Sequence, residues 1–528
     1  MTELIKRGIG FSFFCIVAFI AVILFLTAGP EMSAAVRPKT AAVKKTQNSF
    51  AAPDFAFPQT VAKNAGVEYR RALRSGDARS ALKAAIQLDV ADAVVSTDNY
   101  KKSVDRFDSL SNVLAFPYDR IAMLLEARVY ADMWSFRRWV YNDRKLPLSP
   151  VPENAGEWST EIFADRIMHL VERAMTDPDR LASVSISEIA PLLTDADDAV
   201  RAGFSTLDFM TLCAEGLLSP FASTSSVATI PFGSKNDGVA VTTPEGLAMT
   251  LTEDAIARHA DDKDKFLASF FCGRKLDMLS GDVRRSWLEE CVRRFSDTPY
   301  GARFVADYAG SVEQDSGKKD GNAARRAAYM SLREYLGKFP DAAGIGSVES
   351  MIASLETKRL NVDFANRLLP GRENRIAVSG ANVFDFNILV YRLPGNDADR
   401  NYTYASLSSG AKLVRTIPVK VSGATPDKFT ATVTVPPLDP AYYAFVPSVN
   451  SGASGMLQKN SRMHLETALV SGLSVVTASD ADGSAERELY VVSAVNQKPV
   501  AGASVKLYPL KNGKRGVPVV KTSGPDGR

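Results

Sequence analysis

Three histidines, His169, His259 and His464, are the residues of this sequence best suited by type to proton transfer or zinc binding. Zinc held on a helix needs two imidazoles on one face, as an H-E-x-x-H or H-x-x-x-H spacing supplies. These three are widely separated and form no such pair, so each reads as a surface or packed histidine. No G-x-S-x-G presents a serine nucleophile, and no G-x-x-x-x-G-K or G-x-G-x-x-G loop offers backbone amides to a phosphate. The acidic pairs Asp197-Asp198 and Asp261-Asp262 lie in polar, helix-like sequence and read as solvated faces. No catalytic, cofactor-binding or metal-ligating residue is assigned, no cofactor is expected, and the chain reads as a non-enzyme.

Cysteine chemistry is equally sparse. Cys213, Cys272 and Cys291 are too few to staple a chain of 528 residues. They read as buried free thiols acting as small hydrophobes, with one disulfide open whose partners cannot be read from spacing. The remaining cysteine, Cys15, lies in the middle of an apolar run from Ile9 to Ala28, not at its end, so lipidation there is not expected. That run follows Lys6 and Arg7 and precedes Ser33-Ala34-Ala35. It fits either a cleaved signal or a retained anchor that inserts in or crosses the inner membrane. Both alternatives put the rest of the chain outside the cytoplasm, in the periplasm or at the cell surface.

The bulk composition supports a packed multidomain protein. Hydrophobic residues make up 46 % and charged residues 23 %. The 63 basic and 60 acidic side chains leave a net charge of +3, which gives no support for a nucleic-acid partner.

The elements that would position any site change character along the chain. Residues 1–29 are the signal or anchor, and 30–58, with Pro30, Pro38, Pro53 and Pro58, read as a flexible spacer. Residues 59–369 read as a helical domain. Ser75-Gly76-Asp77 reads as a turn, and Ile121, Leu124, Leu125 and Val129 share one face of a helix with Asp119 in its first turn. Residues 220–250 and the polar stretch Asp315 to Asn322 interrupt the helices. Leu288, Glu290, Arg294, Phe295 and Asp297 recur as Leu332, Glu334, Lys338, Phe339 and Asp341, a pattern that resembles tetratricopeptide-like helical repeats. Around Pro370 the period shortens to two, and strands are expected near 375–378, 383–391, 412–421, 429–435 and 442–446. These make a first antiparallel β-sandwich over 370–468. A second, over 469–528, begins with strands at 473–477, 488–493 and 503–508 and is read as incomplete, the chain continuing past Arg528.

Several of these stretches resemble the alpha-2-macroglobulin family. Gln497-Lys498-Pro499-Val500-Ala501-Gly502-Ala503-Ser504-Val505-Lys506-Leu507-Tyr508, followed by Thr522-Ser523-Gly524-Pro525-Asp526-Gly527-Arg528, is similar to a segment of the second macroglobulin domain. In this reading Pro499 and Gly502 shape a hairpin, and Val500, Ala503, Val505 and Leu507 pack inward. Pro436-Pro437-Leu438-Asp439-Pro440-Ala441-Tyr442-Tyr443 resembles the start of a strand in the preceding domain. The segment around Trp158 and Ser205-Thr206-Leu207-Asp208-Phe209 carry a likeness to the N-terminal portion of large members from Bacteroidetes-type bacteria. The P-V-A-G-A pattern also fits other secreted sandwiches, such as carboxypeptidase regulatory-like and adhesin domains.

The resemblance implies an α-solenoid followed by macroglobulin domains, and an endopeptidase inhibitor that traps proteases in the cell envelope. The family's thioester comes from C-x-E-Q; here Cys213-Ala214-Glu215-Gly216 lacks the glutamine, so no thioester is expected in this chain. The alternative is an envelope protein-binding or assembly module, its helical repeats capturing a protein partner and its sandwiches acting as spacers.

Overall fold

The computed structural model describes residues 58–95, 100–144, 151–193, 196–222, 243–315, 321–363, 367–394, 407, 410–449, 466–479, 487–511 and 514–528. The expected signal or anchor, nearly all of the spacer, most of the interruption at 220–250, the centre of the polar break and His464 lie outside the described residues. Helices come first, from Pro58 to Glu356, and antiparallel sheets follow, from Arg359 to Thr522, so the chain is a multidomain α+β protein. By contacts it divides into two compact units. One holds the described residues up to Tyr308 with Glu334–Val348; the other holds Ala309–Arg333 with Glu349–Arg528.

In the first unit, helices pair where the sequence supplies a tight turn. α1 (Pro58–Ser75) and α2 (Ala78–Val95) join at the expected Gly76, whose φ of +70° suits a residue without Cβ. Asp77 then caps α2, its Oδ1 accepting from Ser80 N–H at 3.0 Å. α3 (Tyr100–Val113) packs on α4 (Tyr118–Phe136). α4 carries Asp119 in its first turn and buries Ile121, Leu124 and Val129, with Leu125 half-buried. After the one-turn α5 (Arg138–Asn142), α6 (Thr160–Ala174) buries Ile162, Phe163, Ile167, Leu170 and Val171. Trp158, just before it, stacks on Tyr130 at 5.2 Å and meets Phe163 edge-on at 5.2 Å, anchoring one core cluster.

Three short helices, α7 (Pro178–Ser183), α8 (Ile186–Ile189) and α9 (Ala196–Arg201), lead into α10 (Thr206–Leu218). α11 (Pro244–Arg258), α12 (Phe266–Met278) and α13 (Gly281–Phe295) follow, then α14 (Ala302–Asp315), α15 (Gly321–Lys338) and α16 (Ile345–Glu356). Both copies of the recurring pattern end a helix. Leu288 and Leu332 are fully buried, Phe295 closes α13, and Phe339 follows α15 half-buried. Lys338 of the second copy pairs with Asp297 of the first at 3.0 Å.

In the second unit the strands begin earlier than the expected boundary at 369. β1 (Arg359–Asp363) alternates exposed and buried, with Leu360 and Val362 inward. Five residues are too short a run for that alternation to stand out beside a helical pattern. β2 (Arg367–Leu368), β3 (Asn374–Ala381), β4 (Asp385–Arg392), β5 (Lys412–Lys420), β6 (Lys428–Val435), β7 (Ala441–Ser448) and β8 (Thr467–Val470) complete two sheets. Their orders are β1-β3-β6 and β2-β8-β7-β4-β5, antiparallel except for the β2–β8 pair. A single cluster takes Leu360, Val362, Ile376 and Val433 from one sheet and Phe386, Ile388, Tyr443 and Phe445 from the other. The unbroken apolar run of β4 follows from burial on both faces, because Leu389 and Tyr391 enter a second cluster with Ala444 and Val446.

The stretch 321–333 of α15 belongs to this unit and is tied to the turn before β6. Asn322 pairs with Lys428 as a strand would, donating to its carbonyl at 2.8 Å and accepting from its N–H at 2.9 Å. Arg326 Nη1 meets both oxygens of Asp427, at 3.0 and 3.2 Å. The buried Arg325 donates to the carbonyls of Pro426 and Leu355 and pairs with Glu313. Asn382 Nδ2 holds the carbonyls of Leu355 and Thr357 at 2.7 and 2.9 Å.

The last strands, β9 (Leu473–Ser479), β10 (Arg487–Ser493), β11 (Ser504–Leu507), β12 (Leu510–Lys511), β13 (Lys514–Arg515) and β14 (Val519–Thr522), form two-stranded ribbons β9–β10, β11–β14 and β12–β13. The expected turn at Gly502 forms, at φ +76°, and Gly527 makes another at φ +82°. The expected inward packing of Val500, Ala503, Val505 and Leu507 is corrected. The first three are half-buried and Leu507 is 41 % exposed. Among the described residues β11 pairs only with β14, and a two-stranded ribbon leaves much of each face to water.

Candidate functional site

A buried cluster of titratable side chains in the helical unit surrounds Asp208. Ser205 caps α10: its Oγ accepts from Asp208 N–H at 3.2 Å, and Asp208 Oδ2 accepts from Ser205 N–H at 2.9 Å. This reciprocal capping box fixes a carboxylate that is only 1 % exposed. The other oxygen, Oδ1, lies 3.0 Å from His259 Nε2 and 3.2 Å from Arg258 Nη2, both from the C-terminal end of α11. The second ring nitrogen of His259, Nδ1, lies 2.7 Å from Asp262 Oδ2. The imidazole plane is parallel to the Phe271 ring, 5.9 Å away.

Electrostatics follows from this geometry. Burial alone would lower the His259 pKa, but the hydrogen bonds and charges of Asp208 and Asp262 outweigh it and raise it. Burial alone would raise the Asp208 pKa; the hydrogen bonds from His259 and Ser205 and the His259 charge reverse this and lower it. Each group therefore stabilises the charged form of the other.

Serine, histidine and aspartate invite comparison with a nucleophilic triad. A base must present a free ring nitrogen to the hydroxyl it deprotonates. Here Ser205 Oγ donates to Asp208 at 2.8 Å, and both nitrogens of His259 face carboxylates. The cluster is a clamp between α10 and the end of α11, and it activates no nucleophile. The other histidine described, His169 on α6, is half-buried; burial, then Arg166 and Arg173, lowers its pKa.

Other buried charges are paired in the same manner. Glu126, 1 % exposed, meets Arg166 at 2.7 Å, and Glu215 is held by Arg274. Cys213 lies in the helical α10, as its sequence suggested, where burial pushes its thiol up to about 12. The Cys213-Ala214-Glu215-Gly216 stretch therefore presents neither a thiolate nor a free carboxylate. Among the described residues no group of three or more histidines, cysteines and acidic residues could hold a metal ion. Asp197 and Asp261 are exposed, whereas Asp198 pairs with Arg201 at 2.9 Å and Asp262 belongs to the clamp.

Spacing alone did not join residues 208 and 259. The S-x-x-D sequence of Ser205 to Asp208 was the available signal, since it marks a helix start whose acidic residue folds back. Glu126 was signalled by its position within the buried stripe Met123, Leu124, Ala127.

The surface of the helical unit offers one conspicuous stretch. Six consecutive residues, Ser135-Phe136-Arg137-Arg138-Trp139-Val140, are exposed, Trp139 at 66 %. The Arg138 guanidinium lies 5.8 Å from the Trp134 ring.

No protein-family model matches the chain, and no curated protein matches it. Among solved structures the chain is similar to the alkylpurine DNA glycosylase AlkC of Pseudomonas fluorescens, bound to DNA containing an abasic-site analogue. The likeness covers 79 % of this chain and 97 % of that one, at 11 % identity and a TM-score of 0.13. A likeness of that size carries no argument about fold or activity.

Proposed function

We propose that this chain is the N-terminal scaffold of an alpha-2-macroglobulin-like, extracytoplasmic protein that inhibits endopeptidases by trapping them. One observation carries the reading: two β units follow each other with almost no linker. β8 ends the first at Val470, and β9 opens the next at Leu473, joined through Ser471-Gly472. Ser471 N–H donates to the Leu368 carbonyl at 3.0 Å and Ala494 N–H to the Gly472 carbonyl at 2.8 Å, so the connection is held from both sides. A trap sprung by one cut needs successive β-sandwich domains so coupled that movement of one displaces the next. The shared core of the two larger sheets and the Gly502 and Gly527 turns fit the macroglobulin-like reading of residues 370–528. The buried charges support a scaffold too, because they are spent on holding helices together.

The test is a protease assay on the full protein carrying this chain. The reading predicts that bound protease still cleaves a small chromogenic substrate and no longer degrades a large protein substrate. Unchanged activity on both would defeat it.

A second reading, an envelope protein-binding module built on tetratricopeptide-like helices, is favoured by the exposed Phe136 and Trp139. It predicts that Trp139→Ser abolishes capture of an envelope protein that the unsubstituted chain retains, whether or not protease is present. Equal capture by both chains would count against it.

A further inference from the structure

We propose that Cys272 and Cys291 become an intramolecular disulfide when the chain folds under oxidising conditions, fastening α12 to α13. Cys272 on α12 and Cys291 on α13 are free, buried thiols of one packed helix pair, and the nearness of each to the other shifts the Cys272 pKa downward and the Cys291 pKa upward. Both side chains are 0 % exposed and belong to one core cluster, with Phe271, Leu276, Leu288 and Phe295. The helices that carry them are already held in register. Gly281, at φ +58°, makes the turn between them, and Trp287 Nε1 donates to the Cys272 carbonyl at 3.1 Å. Cys213 is placed apart, in a different core cluster of the unit. Geometry therefore selects one pair of the three that spacing left open.

The chemistry is thiol–disulfide exchange with a small or protein disulfide as oxidant. With oxidised glutathione, one cysteine thiolate attacks a glutathione sulfur, breaking that S–S bond and releasing one glutathione thiolate. The second cysteine thiolate then attacks the mixed disulfide, forms the Cys272–Cys291 bond and releases the second glutathione thiolate. The two protons lost by the cysteines end on the two glutathiones, and two electrons pass to the oxidant. Full burial places this exchange in the folding chain, before α12 and α13 close over the sulfurs. It also shields the finished bond from reductants in the native state.

The proposal does not depend on protease trapping. The test is to refold the full chain in a buffer of oxidised and reduced glutathione, then alkylate under denaturing conditions and map tryptic peptides by mass. The expected result is a Cys272–Cys291 cross-linked peptide, two hydrogens lighter than its reduced parts, and an unlinked Cys213. The cross-link should survive thiol reductant in the native protein, yield to it in denaturant, and raise Tm by about 5 °C over the reduced chain. Cys213→Ala should retain the cross-link. Complete alkylation of Cys272 and Cys291 after oxidative refolding, or cross-links running through Cys213 or Cys15 in its place, would overturn the proposal.

Discussion

Asp208 Oδ1 and His259 Nε2 lie 3.0 Å apart although 51 residues separate them in sequence. Through this contact the start of α10 is bonded to the end of α11. A negative charge sits at one helix N-terminus, and a positive one follows the other helix's C-terminus, the arrangement that helix dipoles favour.

The clamp makes the stability of the helical unit depend on pH in a defined direction. His259 has its pKa raised above 6.5, so its contribution is complete below that value and is lost as pH rises through the folded value. Asp208 has its pKa lowered below 3.8, so its contribution is complete above that value and is lost as pH falls through the folded value. The clamp is strongest between those two ordinary values. Thermal unfolding followed by circular dichroism should give a lower Tm near pH 8 than near pH 6, and His259→Gln should flatten that difference.

Removing the carboxylate should cost more than removing the imidazole. Asp208→Ala leaves Arg258 and His259 facing each other with the buried anion gone, and it also deletes the capping box. A loss of about 3 kcal/mol is expected in urea unfolding. A loss below about 1 kcal/mol would show the cluster to be ornamental.

Asp165 behaves in the opposite sense. Burial, and then the charge of Glu172 on the same helix, raise its pKa to about 6. The protonated form is favoured on folding, so the ionised form weakens the helical unit at neutral pH. Asp165→Asn should stabilise the protein near pH 7 by about 1 kcal/mol, the half-buried site being partly screened, and should do little near pH 4. Denaturant melts at the two pH values check this.

Gly301 should tolerate no side chain. A Cβ there would lie 2.2 Å from the Phe295 carbonyl oxygen, a backbone atom that cannot swing away. The same residue donates its N–H to Tyr335 Oη at 3.0 Å. Gly301→Ala should cost about 2 kcal/mol, measured by chemical denaturation.

The parts of this architecture that are local were legible in the sequence. Gly76 announced its turn because a residue without Cβ takes that φ at no steric cost, and the strands at 383–391 and 429–435 announced themselves by alternation. The parts that depend on distant partners were not. β1 and β2 are too short to show a period, and β2 pairs with β8, about a hundred residues away in sequence. Asn322 gives no hint that it pairs with the backbone of Lys428. Leu507 alternates as a core residue should, yet its exposure depends on which strands lie beside it. The clamp was half visible: Ser205 and Asp208 form a local motif, but His259 arrives through tertiary packing.

Small-angle scattering of the full protein before and after limited proteolysis tests most directly whether these helices and sheets serve a trap. The account predicts that a single cut shrinks the radius of gyration and leaves the protease enclosed in the particle. A cut protein of unchanged or larger radius, with the protease free in solution, would contradict it.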